Sequence, residues 1–366
     1  MGATVRVLAR EPRPAGSEAE ARARAYCANR LRTAGYDVRE EPFEYSAFVG
    51  RWGTLIGGVV ALAIVRVATA MGERGRAGVA LAVLTLGGIA LGLVAQHLAR
   101  SGVLSFPAQR RRGVNLMATR GNASPKVWLM AHLDSKSQPV PILVRAAGVT
   151  VLGATWIAAI VVALLSMIGV VAEPPTWGAL SVAAAIGAIP VIATTVGTRS
   201  PGALDNASGV ATVLAAAEAT SATDVGVCLT SAEELGLAGA RAWVLEQVRR
   251  GVRGVVINVD GVDDSGQTTC MYSGRKPTAL IASVLAAAQR CGSGVRAHRM
   301  IPGVLTDGVA LADAGWEVVT LSKGGVRTLA RIHTPADRAE EITGQGIDEV
   351  VRIIGVILHF AALRSE

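Results

Sequence analysis

Four long apolar runs break this chain into two kinds of sequence. Residues 53–70 and 78–95 are nearly continuous apolar stretches separated by the polar loop Gly72-Glu-Arg-Gly-Arg76. Residues 147–172 and 177–196 form a second pair, broken at Glu173-Pro-Pro175, with no charge inside either run. A helix needs about 20 apolar residues to cross the hydrocarbon core of a bilayer, and each run is near that length. Arg66 interrupts the first run, where a charge is tolerable if it snorkels to the interface or faces a partner helix. We therefore expect two transmembrane hairpins, residues 51–99 and 147–197, set into a remainder of a different character.

That remainder, residues 1–50, 100–146 and 198–366, alternates strand and helix patterns. Ser17 to Ala34 predicts an exposed helix, with Ser17 as N-cap, Glu20 three residues on and Gly35 as the stop. Tyr36 to Tyr45 roughly alternates apolar and polar residues, as a half-exposed edge strand does. Short apolar segments at 115–118 and 127–131, joined by a turn at Gly121-Asn-Ala-Ser-Pro125, read as two strands, the second running into His132-Leu-Asp134. From Pro201 onward helices near 208–220, 238–249, 277–289 and 347–363 alternate with strands near 225–230, 255–260, 269–272, 295–300 and 317–321. Strands and helices at this spacing imply an α/β domain with a mostly parallel central sheet and helices on both faces.

Composition supports the division. Hydrophobic residues make up 51% of the 366 residues and charged residues 17%, too apolar for an ordinary soluble enzyme of this size. The formal charge is +8, yet the arginines are dispersed or flank the apolar runs, with no basic stripe and interleaved aromatics, so nucleic acid is not an expected partner. Cys27, Cys228, Cys270 and Cys291 form no Cys-x-x-Cys pair and read as core thiols in a reducing compartment. Met1 to Pro14 carries charges and prolines where a secretory signal needs an apolar core, which argues against a cleaved signal peptide.

The chemistry gathers at strand ends. Thr230-Ser-Ala-Glu-Glu-Leu-Gly236 places Glu233 and Glu234 just beyond a buried strand, where one carboxylate can face a metal and its neighbour a reacting water. His132 and Asp134 follow another strand, Asp260 lies in Asn258-Val-Asp-Gly261, Asp205 in Gly202-Ala-Leu-Asp-Asn-Ala-Ser-Gly209, and His333 in Ile332-His-Thr-Pro-Ala-Asp337. Two imidazoles and several carboxylates suit a pair of borderline cations such as zinc. One shared carboxylate, two terminal ones and two histidines complete a two-metal site and leave one carboxylate as a base.

The series His-x-Asp, Gly-Ala-x-Asp-Asn-x-Ser-Gly, Glu-Glu, Asp-Gly and His-Thr-Pro-x-Asp, in this order, resembles the zinc metallopeptidases of family twenty-eight, the leucine aminopeptidase and glutamate carboxypeptidase group. The resemblance covers residues 5–43 and 114–359 without the hairpins. It implies a three-layer α/β/α zinc-peptidase fold with four transmembrane helices inserted as two hairpins. It also implies two zinc ions, His132 and Asp260 on one, Glu234 and His333 on the other, and Asp205 bridging them. Glu233 is then the general base, and Asp134 orients the imidazole of His132. Ser208 is placed to cap the helix that follows, and Asn206 reads as a loop residue. Asp307 matches the family's Ser-Asp-His stretch, but Gly308 stands where the histidine would be.

Each insertion adds about 50 residues, room for two crossings. Both hairpins return to the side they left, so the catalytic part is assembled on one face, and the active site, flanked by the second hairpin, is expected near the membrane surface. Arg51, Arg100, Arg110, Arg111, Arg112, Lys136, Arg145 and Arg199 flank the runs on that side, against Arg74 and Arg76 on the other. The positive-inside rule then puts the enzyme in the cytoplasm. The resulting expectation is a membrane-embedded di-zinc exopeptidase, an aminopeptidase acting on short or hydrophobic peptides. The alternatives are a glutaminyl-cyclase-like zinc acyltransferase and a non-catalytic receptor or scaffold of the same fold.

Overall fold

The computed structural model describes residues 1–121, 124–170, 172–301 and 303–363, so Asn122 and Ala123 of the expected turn at Gly121, and Val171 of the third apolar run, lie outside the described residues. The chain divides into two compact units, one of Met1–Ala47, Val103–Ser137 and Thr198–Glu366, the other of Phe48–Gly102 and Gln138–Gly197.

The first unit is built on one eight-stranded sheet. Its strands are β1 (Asp37–Ser46), β2 (Arg110–Thr119), β3 (Val127–His132), β4 (Val225–Thr230), β5 (Val255–Val262), β6 (Gln267–Tyr272), β7 (Val295–Arg299) and β8 (Glu317–Gly324), in the order β1-β2-β4-β3-β5-β8-β6-β7. The four central strands, β4, β3, β5 and β8, run parallel. Antiparallel joins attach β1 and β2 on one side and the β6–β7 pair on the other. Parallel strands deliver their carboxyl ends to one edge. His132 pairs with Thr230, and Met130 pairs with Asn258, so His132, the turn after Thr230 and Asp260 arrive at the same level.

β3 shows why the central strands read as unbroken apolar runs. Leu129 and Ala131 enter the large core with Val227, Ile257 and Val319, while Trp128 and Met130 enter a second core on the opposite face. Alternation of side chains across the pleat, with both faces covered, buries every position. In the second core Trp243 sits 5.2 Å from Trp128 and 5.1 Å from Trp316, ring centre to ring centre.

Helices α1 (Gly2–Leu8) and α2 (Glu18–Thr33) open the chain. Ser17 caps α2, its Oγ accepting from Glu20 N at 3.2 Å, and Gly35 ends it at φ +84°. The Glu20 carboxylate reaches one residue further back than a capping box requires, to Gly16 N at 2.7 Å.

The second unit consists of α3 (Ala47–Glu73), α4 (Ala77–His97), α6 (Ile142–Met167) and α7 (Pro174–Ile192), with the single turn α5 (Val103–Ser105) following in the first unit. All four are long and apolar enough to cross a membrane. The third ends at Met167, short of the expected Ala172, because Gly169 at φ +92° turns the chain before Pro174. Where they meet, the helices use small residues, among them Ala61, Ala68, Ala80, Ala159, Ala163, Ala184 and Ala188. A Cβ at Gly187 would lie 2.7 Å from Leu152 N and 3.0 Å from Gly148 O, an approach only glycine permits. Within this unit the outer faces are large and apolar: Leu86 is 66% exposed and Ile189 64%. Arg66 is exposed on α3 rather than turned to a neighbouring helix.

The remaining helices, α8 (Gly209–Ala219), α9 (Ala238–Arg249), α10 (Thr278–Arg290), α11 (Asp307–Asp313), α12 (Val326–Arg331) and α13 (Gln345–Leu363), belong to the first unit. α8 and α13 cover one face of the sheet and α9 and α11 the other.

Candidate metal centre

Six of the residues singled out from sequence meet at the carboxyl edge of the sheet. His132 ends β3, Asp260 lies in β5, Glu233 and Glu234 open the turn after β4, Asp205 sits in the bent segment Ala203–Ser208, and His333 follows α12. Asp205 stands between the two imidazoles. Its Oδ1 lies 3.0 Å from His132 Nε2, and its Oδ2 lies 2.9 Å from His333 Nε2. Asp260 Oδ1 is 3.6 Å from His132 Nε2, and Glu234 Oε1 is 3.3 Å from His333 Nε2. The donor atoms of His132, Asp205 and Asp260 all fall within 4.8 Å of one another, as do those of Asp205, Glu234 and His333. Glu233 Oε2 stands 4.0 Å from His132 Nε2, outside both groups.

The donors fit a cation better than they fit each other. His132 Nε2 and Glu234 Oε1 are buried without a hydrogen-bond partner, although carboxylate and imidazole atoms crowd around them. Atoms that converge at contact distance without hydrogen-bond geometry are aiming at a common point. Imidazole nitrogens and carboxylate oxygens in two groups of three are a donor set for zinc.

Electrostatics state the same need. Burial works to lower the pKa of His132, but Glu233, Asp134, Asp205 and Asp260 outweigh it and hold the imidazole well above its usual range. Burial would raise Asp205, yet His132 and His333 keep it well below the carboxylate range. Glu233 goes the other way: burial, with Glu234 and Asp260 adding to it, raises its carboxyl well above the usual value despite His132. Glu234, opposed by burial but paired with Lys136 and His333, is held at about 2. Two adjacent carboxyls on one turn thus have opposite proton affinities, the pattern of a proton carrier beside a fixed anion.

The surrounding contacts revise several expectations. The Nδ1 of His132 meets the main-chain carbonyl of Asp134 at 3.0 Å, while the Asp134 carboxylate lies 3.7 Å away. That carboxylate instead accepts Glu233 N at 3.1 Å and Glu234 N at 3.2 Å, fixing the turn that carries the glutamates. Ser208 does not cap α8. Its hydroxyl donates to Leu204 O and accepts from Val262 N, because β5 passes beside it. The cap falls to Asn206, whose Oδ1 accepts from Gly209 N at 3.0 Å and from Gly261 N at 3.2 Å, while its Nδ2 donates to Val259 O. One amide side chain therefore ties the Asp205 segment to the strand bearing Asp260. At Gly308 a Cβ would lie 2.6 Å from Thr320 Oγ1, so the space of a larger side chain is taken by that hydroxyl.

Sequence reasoning missed four participants. Lys136 counted as a cation flanking an apolar run, but it turns inward, its Nζ 2.5 Å from Glu234 Oε2 with 17% of the side chain exposed. Its charge therefore belongs to the site and leaves the count of flanking cations. Arg13 is buried and donates to four carbonyls: Leu8 O, Leu133 O, Pro201 O and Gly202 O. Asp337 accepts from Leu204 N and Asp205 N. Glu20, read as a helix cap, is also buried near Asp134 and Ser231. Lys136 carried a signal in its position two residues after Asp134; Arg13 and Glu20 lie more than 100 residues from the loops they touch and carried none.

A family model described as peptidase family M28 matches residues 191–358, which include Asp205, Glu233, Glu234, Asp260 and His333. No curated protein sequence matches. Among solved structures, a leucine aminopeptidase precursor from Bacteroides thetaiotaomicron has TM-score 0.58 at 13% identity, covering 98% of this chain and 95% of that one. A zinc aminopeptidase from Bacillus subtilis has TM-score 0.56 at 14% identity, covering 98% and 94%. A glutaminyl cyclase from Fimbriiglobus ruber has TM-score 0.55 at 15% identity, covering 97% and 93%. At these identities the structures show a shared fold. With the match of residues 191–358 to peptidase family M28 and the donor set at the sheet edge, this fold is that of a zinc-dependent metallopeptidase.

Proposed function

We propose that the protein is a membrane-embedded di-zinc exopeptidase, an aminopeptidase that trims short or hydrophobic peptides. The observation that carries this reading is Asp205, whose two oxygens each approach a different imidazole at 2.9–3.0 Å. His132 and Asp260 would hold one zinc, Glu234 and His333 the other, with Asp205 shared. Bound zinc supplies polarisation of the scissile carbonyl and acidifies a water.

The protein's own groups then handle protons and position. The Glu233 carboxylate takes the proton of the attacking water and returns it to the departing amine nitrogen. Burial supports this role by raising its proton affinity well above that of an ordinary carboxylate, so that it holds an abstracted proton more firmly. Asp134 keeps the carboxylate in place through its hydrogen bond from Glu233 N. Buried surroundings exclude competing water from His132 and Glu234. Four apolar helices with exposed aliphatic faces support membrane embedding. With Lys136 removed from the count, Arg51, Arg100, Arg110, Arg111, Arg112, Arg145 and Arg199 still outnumber Arg74 and Arg76, which supports a cytoplasmic catalytic unit.

The test is hydrolysis of free and amino-blocked peptides by the detergent-solubilised chain, with and without chelator. Glu233→Gln should keep its metal and lose activity by about 10²–10⁴-fold. Turnover that survives in this variant rejects Glu233 as the base. The likeness to a glutaminyl cyclase favours a second reading, one-zinc acyl transfer; a single zinc per chain with cyclisation of amino-terminal glutamine would select it.

A further inference from the structure

The two halves of the centre are unequal. Among the described residues no lysine or arginine makes a direct ion pair with Asp205 or Asp260, and His132 Nε2 faces both carboxylates. In the other half Glu234 is divided: Oε1 is buried and unpartnered at 3.3 Å from His333 Nε2, while Oε2 is taken by the Lys136 ammonium at 2.5 Å. The lysine is not free to swing away with its loop. Ser135 before it bonds to Arg13 through both main chain and side chain and donates to Ser200 O, and Ser137 after it accepts from Arg199 N at 2.9 Å. Both residues flanking Lys136 are pinned, and the ammonium is delivered to one oxygen of one ligand.

A fixed monovalent charge on a ligand carboxylate opposes a divalent cation on that carboxylate, by direct repulsion and by occupying one of its two oxygens. We propose that Lys136 grades the metal centre: the His132–Asp205–Asp260 half keeps a tightly held cation, and the Asp205–Glu234–His333 half takes a second, exchangeable one in competition with the lysine. The inference rests on the two-cation reading of the site. Its consequence is a peptidase whose second metal is gained or lost with the supply of free divalent cation, while the first remains.

The experiment titrates zinc, and separately cobalt, into the metal-stripped full chain in detergent by calorimetry, with metal counted per chain. The wild type should bind in two separated steps. Lys136→Met removes the charge at similar length and should tighten the second step by about 10–100-fold, the range for groups that contact metal ligands. The first step should be unchanged, which also reports that the variant is folded. Lys136→Arg, which keeps a cation, should retain the gap. An unchanged or weaker second step in Lys136→Met overturns the proposal while leaving the two-cation reading intact. One cation or fewer in both wild type and Lys136→Met overturns that reading as well.

Discussion

Glu20 gives a stability prediction with a definite sign. It is 1% exposed, its Oε2 accepts from Gly16 N, and its Oε1 has no hydrogen-bond partner. Burial, then the charge of Asp134, raises its carboxyl from the ordinary 4.5 to about 7, against the opposing effects of Ser231, Gly16 N and Arg24. A folded-state value above the unfolded one means the folded protein binds the proton more tightly. That contribution is fully present below about pH 4.5 and is lost as pH rises through about 7. At about 1.4 kcal/mol per pH unit the loss is ~3 kcal/mol. Glu20→Gln keeps an acceptor for Gly16 N and cannot ionise. In chelator-treated full-length protein in detergent, the unfolding midpoints of wild type and Glu20→Gln should nearly coincide at about pH 5, and the variant should be the more stable at about pH 8, by up to ~3 kcal/mol. A difference that does not grow with pH refutes the reasoning, because a purely steric effect of the amide has no pH dependence.

Two further substitutions probe the scaffold. Arg13→Met leaves buried carbonyls at Leu133 and Gly202 without their donor; at ~1–3 kcal/mol for each, thermal unfolding should show a loss of at least ~2 kcal/mol, and zinc content should fall because Leu133 lies between His132 and Asp134. Arg13→Lys should restore only part, since one ammonium cannot reproduce the fork. In the second hairpin, Gly187→Leu forces a side chain against Leu152 N and Gly148 O and should cost about 1–3 kcal/mol, read as a lower unfolding midpoint in detergent.

The order of the motifs and the length of the apolar runs were properties of the sequence alone. A run of about 20 apolar residues can satisfy its backbone in lipid only as a helix, so α3, α4, α6 and α7 were legible without any partner. Ser17 and Gly35 bounded α2 for an equally local reason: a hydroxyl reaches the third amide, and a glycine takes positive φ. The alternating elements also announced the α/β class, because their spacing leaves room for a helix between parallel strands.

Register and long-range contact decided the rest. His132 meets Asp260 because β3 and β5 pair with Met130 beside Asn258, a choice that no local pattern contains. Ser208 looked like a cap and lost that task to Asn206 once β5 offered it Val262 N. Asp134 looked like the partner of an imidazole and became the anchor of the glutamate turn. Lys136 looked like a charge at a membrane boundary and became a charge on Glu234. In each case the side chain's chemistry was fixed by its type, and its role by which main-chain and side-chain atoms the sheet brought within 3–4 Å of it, because short-range polar interactions act only at contact.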